Sequence, residues 1–185
     1  MTRDDAELLL KKYVKNERML NHCYASEAVM RSLAARFGED VEKWGLAGLL
    51  HDIDIEVTDA DLSRHGLEAR KILAAEGIDP ETVDAIVMHN EAVTGGRKRE
   101  TPFQHALAAA ETITGLIVAT TLVYPDKKLA SVKTKSVVKR MKEKAFAASV
   151  NREIIMECEV IGIPLNEFAE LSIAAMLGIS DRLGL

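Results

Sequence analysis

The residues best suited to chemistry in this sequence are the pair His51-Asp52, which directly follows the apolar run LAGLL at residues 46–50. The run predicts the last turn of a buried helix. A carboxylate there faces the negative end of the helix dipole and loses contact with water, so it needs a cation. A metal ion would meet that need. The alternative interpretation is that His51 is a hydrogen-bonded core histidine and that Asp52 caps the next turn.

Four more polar residues fall on the apolar faces of predicted helices. Each is three, four or seven residues from apolar residues of its own helix, and residues at these separations share one face. The four are His22, His65, His89 and Glu111. Burying so many polar groups is costly unless they satisfy one another. A polynuclear metal site would satisfy them together.

The types of ligand atom limit which metals can bind and which reaction they can support. Imidazole and carboxylate groups together suit iron, manganese, cobalt or zinc, with magnesium as a further option, whereas two cysteines are too few for a structural zinc site. Two divalent transition ions bridged by one carboxylate would activate water and neutralise charge on a phosphoryl group. The pattern therefore predicts hydrolysis of a phosphate ester or anhydride.

Composition limits the class of protein. The 185 residues are 48% hydrophobic and 29% charged, which is typical of one globular domain with its own core. A net charge of -5 argues against a general nucleic-acid surface. Cys23 and Cys158 lack a CxxC spacing, and the N-terminus lacks a signal-peptide pattern. We therefore expect free thiols and a cytoplasmic protein.

The periodicity predicts an all-α fold. Apolar residues recur every three to four positions, and alternating β-branched runs are nearly absent. Asn16 and Gly38 mark the two ends of one helix, and Asp79 begins another. The longest apolar stretch, residues 106–123, predicts a central buried helix rather than a membrane span, because Glu111 and several threonines interrupt it.

Other turn residues indicate further boundaries. Ser63 is expected to cap the helix that carries His65. Helices are also expected near residues 145–161 and 165–183. The turn at Pro125 is the only subdomain boundary that the sequence indicates.

The order of the polar residues resembles the HD-domain superfamily of metal-dependent phosphohydrolases. That family carries one histidine, a His-Asp doublet and a distal aspartate on a helical bundle, and its binuclear members carry two further histidines. The strongest local matches here are GLAGLLHDID at residues 45–54 and the pair His65-Gly66. The resemblance implies a single HD-type domain over residues 1–185, with its core at 16–124 and extra C-terminal helices at 125–185.

The resemblance also implies roles for individual residues. The metal ligands would be His22, His51, Asp52, His65, His89 and Glu111, with Asp52 as the bridge between two ions. The family has an aspartate where this chain has Glu111, whose side chain is one methylene longer. One interpretation is a retained site with altered geometry. The other is a degenerate domain with weak or single-metal binding.

Phosphate oxygens that no metal binds need cations or backbone donors. Arg18 lies one turn before His22 and could contact such an oxygen, or it could be a solvated arginine. The segment 94–97, which ends in Arg97, could bind an anion or could be a mobile loop. The basic stripe between Lys133 and Lys144 could cover the site or only keep a helix soluble.

Two further polar residues are placed outside the ligand set. Asp54 could orient a ligand histidine, or it could cap a loop. His105 is predicted to lie on a different side of its helix from Glu111 and is therefore excluded as a ligand.

These features favour a cytoplasmic phosphohydrolase in which His51 and Asp52 serve the metal centre and Arg18 steadies the substrate. The substrate would be a small phosphorylated metabolite, first of all a nucleotide, and neither a nucleic-acid polymer nor a membrane is expected as a partner. The alternative is a catalytically weak or inactive HD-fold sensor or scaffold that binds a nucleotide, and Glu111 is its main support. A third interpretation is a helical oligomerisation module without a metal site. It is disfavoured, because each inward-facing polar residue would then need a separate explanation.

Overall fold

A computed structural model describes residues 1–185 as helices joined by turns, without β-strands. The predicted all-α fold is confirmed. The α-helices are α1 (Arg3–Tyr13), α2 (Glu17–Phe37), α3 (Val41–Leu50), α4 (Leu67–Ala75), α5 (Pro80–His89), α6 (Pro102–Leu122), α7 (Thr134–Met141), α8 (Arg152–Ile155), α9 (Glu157–Val160), α10 (Leu165–Leu177) and α11 (Ser180–Leu183). Short 3₁₀ turns lie at Glu91–Val93 and Leu129–Ser131.

The two long helices, α2 and α6, organise the bundle. α2 packs against α3, α6 and α10, and α6 packs in turn against α5, α8 and α9. The buried apolar residues form one connected cluster that extends from Ala6 in α1 to Leu183 in α11. The helices after Pro125 therefore share their core with the earlier ones, and burial of that shared apolar surface holds them in place.

α6 is the buried central helix that the sequence predicts. Its length and its mean hydropathy of 1.3 would suit a membrane span, but 61% of this apolar window is buried inside the protein. Thr101 caps the first turn, Pro102 occupies the first helical position, and Gln104 completes a capping box. The helix thereby begins at a fixed residue and carries Glu111 into the interior.

The ends of α2 and α5 also agree with the prediction. Asn16 caps the first turn of α2, and Gly38 ends that helix in the left-handed conformation at a φ of +73°. Asp79 caps α5 through its side chain. Because both helices start at fixed residues, His22 and His89 have defined positions along them.

The start of α4 differs from the prediction. Ser63 does not cap a helix, because its hydroxyl bonds within the preceding turn and α4 begins only after Gly66. The carboxylate of Asp54 caps the first turn instead, since it accepts hydrogen bonds from two backbone amides there at 2.8 Å. His65 consequently lies in the turn before α4 and not on a helix.

The prediction of a helix near residues 145–161 is wrong in its first part. Residues 142–151 contain no helix, and α8 begins only at Arg152. The guanidinium of Arg152 donates hydrogen bonds to the carbonyl oxygens of Phe146, Ala147 and Val150. These side-chain bonds replace the backbone bonds of a helix and hold the segment in turns.

Candidate metal centre

α2 and α3 approach each other closely enough to bring His22 and His51 together. Gly48 permits this approach, because a Cβ at this position would lie 2.7 Å from the carbonyl oxygen of Ser26 in α2. His51 follows the last turn of α3, and its Nδ1 donates to the Gly48 carbonyl oxygen at 2.9 Å. The Nε2 atoms of His22 and His51 are 3.1 Å apart.

The ring of His22 is oriented by α6. Its Nδ1 lies 3.0 Å from the hydroxyl oxygen of Thr114, which donates its own proton to the carbonyl oxygen of Glu111 at 2.7 Å. The hydroxyl therefore accepts the Nδ1 proton of His22 and leaves Nε2 as the ring's free donor atom. Thr114 is not among the residues predicted from the sequence, although its position three residues after Glu111 places both on one face of α6.

His65 and His89 form a second pair. His65 Nδ1 donates to the carboxylate of Asp54 at 2.7 Å, and His89 Nδ1 donates to the carbonyl oxygen of Ile86 one turn earlier in α5. These bonds again leave the Nε2 atoms free to bind a ligand, and the two Nε2 atoms are 2.9 Å apart. Asp54 thus takes the orienting role that the sequence left open.

Asp52 lies between the two histidine pairs. Its Oδ2 is 3.6 Å from His22 Nε2 and 3.5 Å from His51 Nε2. Its Oδ1 is 3.2 Å from His65 Nε2 and 3.6 Å from His89 Nε2. The structure therefore contains two three-residue groups, each suited to a metal ion, that share the carboxylate of Asp52.

The donor set fits divalent cations in both groups. Each Nδ1 proton is already used in a hydrogen bond, so two neutral rings of a pair face each other with their Nε2 lone pairs, an arrangement that a proton or a metal ion between them stabilises. Metal–nitrogen bonds of about 2.1 Å place neighbouring ligand nitrogens about 3.0 Å apart at octahedral angles and about 3.4 Å apart at tetrahedral angles. The observed separations of 3.1 Å and 2.9 Å are close to the octahedral spacing.

Glu111 lies beside the first group. Its Oε2 is 3.8 Å from His22 Nε2, and its Oε1 accepts a hydrogen bond from the hydroxyl of Thr112. It belongs to neither of the two compact three-residue groups. The five other predicted ligands meet in those groups, whereas Glu111 is adjacent to them.

Burial and neighbouring charges shift the pKa values of these residues. Burial lowers the pKa of His51 to about 3, which keeps the ring neutral. Burial alone would raise the pKa of Asp52, but the histidines around it, above all His51, lower it well below its usual range. Burial opposes protonation of His65, yet hydrogen bonds to Asp52 and Asp54 raise its pKa to about 10. Burial raises the pKa of Glu111.

The two predicted arginine anchors have different surroundings. Arg18 is exposed, forms no ion pair, and lines a cleft that His22 also lines. Arg97 instead pairs with Asp84, with both oxygens 3.0 Å from its guanidinium. The expectation that the loop before Arg97 binds an anion is therefore not supported, because this guanidinium is already paired.

Arg99, which is also not among the predicted residues, links α5 to the C-terminal helices. Its side chain is only 3% exposed, and it donates to the carbonyl oxygen of Met88 at 2.8 Å and to Glu157 at 2.7 Å. His105 donates to the same Glu157 carboxylate at 2.6 Å, so it lies outside the metal-ligand groups. The spacing of Arg99 does not distinguish it from surface arginines in the same loop.

Two clefts meet at His22 and Gly115. The carboxylate cleft, of about 320 Å³, is also lined by Glu111, Thr112, Ser149, Val150, Asn151 and Ile154. The apolar cleft, of about 380 Å³, is also lined by Arg18, Asn21, Ala25, Thr114, Val118, Ala119, Leu122, Leu183 and Leu185. The basic residues between Lys133 and Lys144 line neither cleft.

The sequence also matches a known protein family. A model of the HD domain matches residues 19–120, which is more than half of the chain and includes all six predicted metal ligands. The chain therefore belongs to the HD domain family, and this family implies the superfamily of metal-dependent phosphohydrolases. Comparison with curated proteins and with solved structures gave no match.

Proposed function

We propose that this protein is a metal-dependent phosphohydrolase that cleaves a phosphate ester or anhydride of a small phosphorylated metabolite, with a nucleotide as the first substrate class to test. The observation that carries the proposal is the arrangement of two histidine pairs around the single carboxylate of Asp52. Membership in the HD domain family supports the same chemistry.

The proposed cofactors are two divalent transition ions, either iron, manganese, cobalt or zinc, with magnesium as a further option. His22 and His51 would hold one ion, His65 and His89 would hold the other, and Asp52 would contact both. Bound there, such ions stabilise negative charge on phosphoryl oxygens and lower the pKa of an attacking water.

Side chains around this centre orient the ligands and the substrate. Thr114 fixes the ring of His22, and Asp54 fixes the ring of His65, so both Nε2 atoms face the shared carboxylate. Arg18 has a guanidinium without an ion pair, and we propose that it contacts phosphate oxygens that the ions leave free. The catalytic assignments are therefore His51 and Asp52 at the centre and Arg18 on the substrate.

A second candidate function is a nucleotide-binding sensor or scaffold with little or no catalysis. Its support is Glu111, which stands where the HD family has an aspartate and lies outside both compact ligand groups. Such a protein would bind a nucleotide tightly and release it unchanged. Turnover under any of the proposed metals separates the two functions.

The test is phosphate release from a panel of mono-, di- and polyphosphorylated nucleotides by purified protein supplied with each metal in turn. We expect turnover by the native chain and none above background by a His51→Ala, Asp52→Ala double variant. His105→Gln is the matched control, because His105 is the one histidine that contacts Glu157 rather than Asp52. Full activity in the double variant would refute the enzyme proposal, and tight binding without turnover would favour the sensor.

We also propose a cytoplasmic location, with no nucleic-acid polymer and no membrane as partner. The support is chemical: Cys23 and Cys158 are both free and buried, as in proteins of reducing compartments, and the net charge is -5.

A further inference from the structure

The apolar cleft beside the metal centre indicates what kind of substrate the centre acts on. Its volume of about 380 Å³ is typical of a small-molecule site. Six of its eleven lining residues are apolar, namely Ala25, Val118, Ala119, Leu122, Leu183 and Leu185. We infer that this cleft binds the organic part of the substrate and that this part is apolar, as in an alkyl or aryl phosphate. The inference rests on the proposed phosphohydrolase function and narrows its substrate class.

Two residues connect the apolar cleft to the metal-ligand groups. His22 and Gly115 line both this cleft and the carboxylate cleft. His22 Nε2 is also 3.6 Å from Asp52, so a phosphoryl group at the centre lies next to the end of the apolar cleft. Gly115 has no side chain to close the junction. One molecule can therefore place its phosphate at the centre and its organic part along α6.

The cleft has few polar groups for a nucleoside. The Thr114 hydroxyl already accepts from His22 and donates to the backbone, and one N–H of Asn21 donates to the Leu183 carbonyl oxygen. Apart from Arg18, this leaves the Asn21 carbonyl oxygen and its second N–H as the free side-chain groups of the wall. The hydroxyl and amine groups of a bound nucleoside outnumber these free groups, so most of them would lose water there without gaining a new partner, which weakens binding. An alkyl or aryl group has no such cost.

Arg18 completes a cleft that combines one cation with apolar walls. Arg18 lines the cleft, and its guanidinium has no ion pair within the protein. Arginine suits phosphate oxygens, because its planar group can donate two parallel hydrogen bonds. The cleft is therefore complementary to an amphiphilic molecule, with a charged phosphate at one end and a hydrocarbon group at the other.

Phosphonates test this inference through binding alone, because their carbon–phosphorus bond is not a phosphate ester. Isothermal titration calorimetry would give Kd values of methyl-, butyl- and phenylphosphonate for the manganese-loaded protein. Each buried methylene strengthens binding about fourfold. Butylphosphonate, with three more methylenes, should therefore bind up to roughly sixty-fold more tightly than methylphosphonate.

Two variants test whether the preference for butylphosphonate arises from this cleft. Ala119→Leu fills the cleft with a residue that favours helices, so methyl- and butylphosphonate should then bind alike. Ala74→Leu makes the same change at an exposed position of α4 and should keep the native preference. If circular dichroism shows that Ala119→Leu does not fold, Val118→Asn is the second variant. It places an amide in the cleft wall and should weaken the binding of butylphosphonate but not that of methylphosphonate.

The outcomes separate this inference from the proposed function. Equal binding of methyl- and butylphosphonate by the native protein would refute the inference that the apolar cleft binds the organic part of the substrate. The phosphohydrolase proposal would not be affected. Tighter binding of an adenosine phosphonate than of butylphosphonate would also refute the inference about the cleft and would favour a nucleotide. No binding of any phosphonate, together with no phosphate release from any ester, would overturn both.

Discussion

Asp54 accepts a hydrogen bond from His65 Nδ1 at 2.7 Å through one carboxylate oxygen, while its other oxygen accepts from the backbone amides of Gly66 and Ala69 at 2.8 Å. Asp54 has no exposed surface. One buried carboxylate thus fixes both the ring orientation of a metal-ligand histidine and the start of α4.

We predict that Asp54→Asn weakens metal binding by the group of His65 and His89. An amide offers only one acceptor oxygen, so either the histidine or the backbone amides lose their partner. Loss of such an orienting carboxylate lowers metal affinity roughly 10- to 100-fold. A competition titration with a chelating dye would measure it, with Asp61→Asn as the exposed control. Unchanged affinity at both groups would contradict the orienting role.

Gly48→Ala should lower both stability and metal affinity. The new Cβ would meet the Ser26 carbonyl oxygen at 2.7 Å, and backbone cannot move aside cheaply. Overpacking of this kind costs about 2 kcal/mol and would separate His22 from His51. The control is Gly115→Ala, whose Cβ meets only a methyl group at 3.5 Å and should stabilise α6 by up to about 1 kcal/mol. Urea unfolding compares the two, and equal effects would argue against the close helix approach.

Arg99→Met should cost about 3 kcal/mol of unfolding free energy, because it leaves the carboxylate of Glu157 without its main cation and the Met88 carbonyl without a donor. Arg97→Met removes an arginine from an exposed pair with Asp84 and should cost less than about 1 kcal/mol. Thermal unfolding of both variants measures the difference. Equal destabilisation would mean that Arg99 is an ordinary surface arginine.

Glu7 makes stability depend on pH. Burial alone would raise its pKa, but Lys11, Arg3 and Arg182 lower it from 4.5 to about 2. A carboxylate with a lowered folded-state pKa stabilises the protein above pH 4.5, and this contribution is lost as the pH falls towards 2. The native chain should therefore exceed Glu7→Gln in stability at pH 6, and the difference should shrink below pH 4.5.

Urea unfolding at a series of pH values measures this difference. Glu170→Gln, which removes an exposed carboxylate without an ion pair, is the control. A difference between the native chain and Glu7→Gln that stays constant from pH 6 to pH 3 would show that the cations around Glu7 do not stabilise its charged form.

Local rules predicted the helices that carry most of the metal centre. Asn16, Gly38 and Asp79 are strong capping residues at the ends of α2 and α5, and their side-chain or backbone preferences act within one turn. The inward positions of His22 and His89 follow from the same helical period. These features depend only on residues that are close together in the chain, so they can be predicted from the sequence.

The features that the sequence did not predict depend on distant residues. Asp54 caps α4 from outside that helix, which is why Ser63 was given a role it does not have. Arg152 holds the preceding segment in turns by bonding to its carbonyl oxygens. Arg99 and Thr114 gain their roles only when α6 packs against its neighbours. No periodic pattern marks such contacts.

The central claim is that Asp52 is shared by two metal-ion sites. Inductively coupled plasma mass spectrometry of the protein, after saturation with manganese or zinc and removal of unbound metal, tests it most directly. We predict two ions per chain in the native protein, one in a His65→Ala, His89→Ala variant, and less than one in Asp52→Ala. No stoichiometric metal in the native protein, or two ions retained in Asp52→Ala, would contradict the claim.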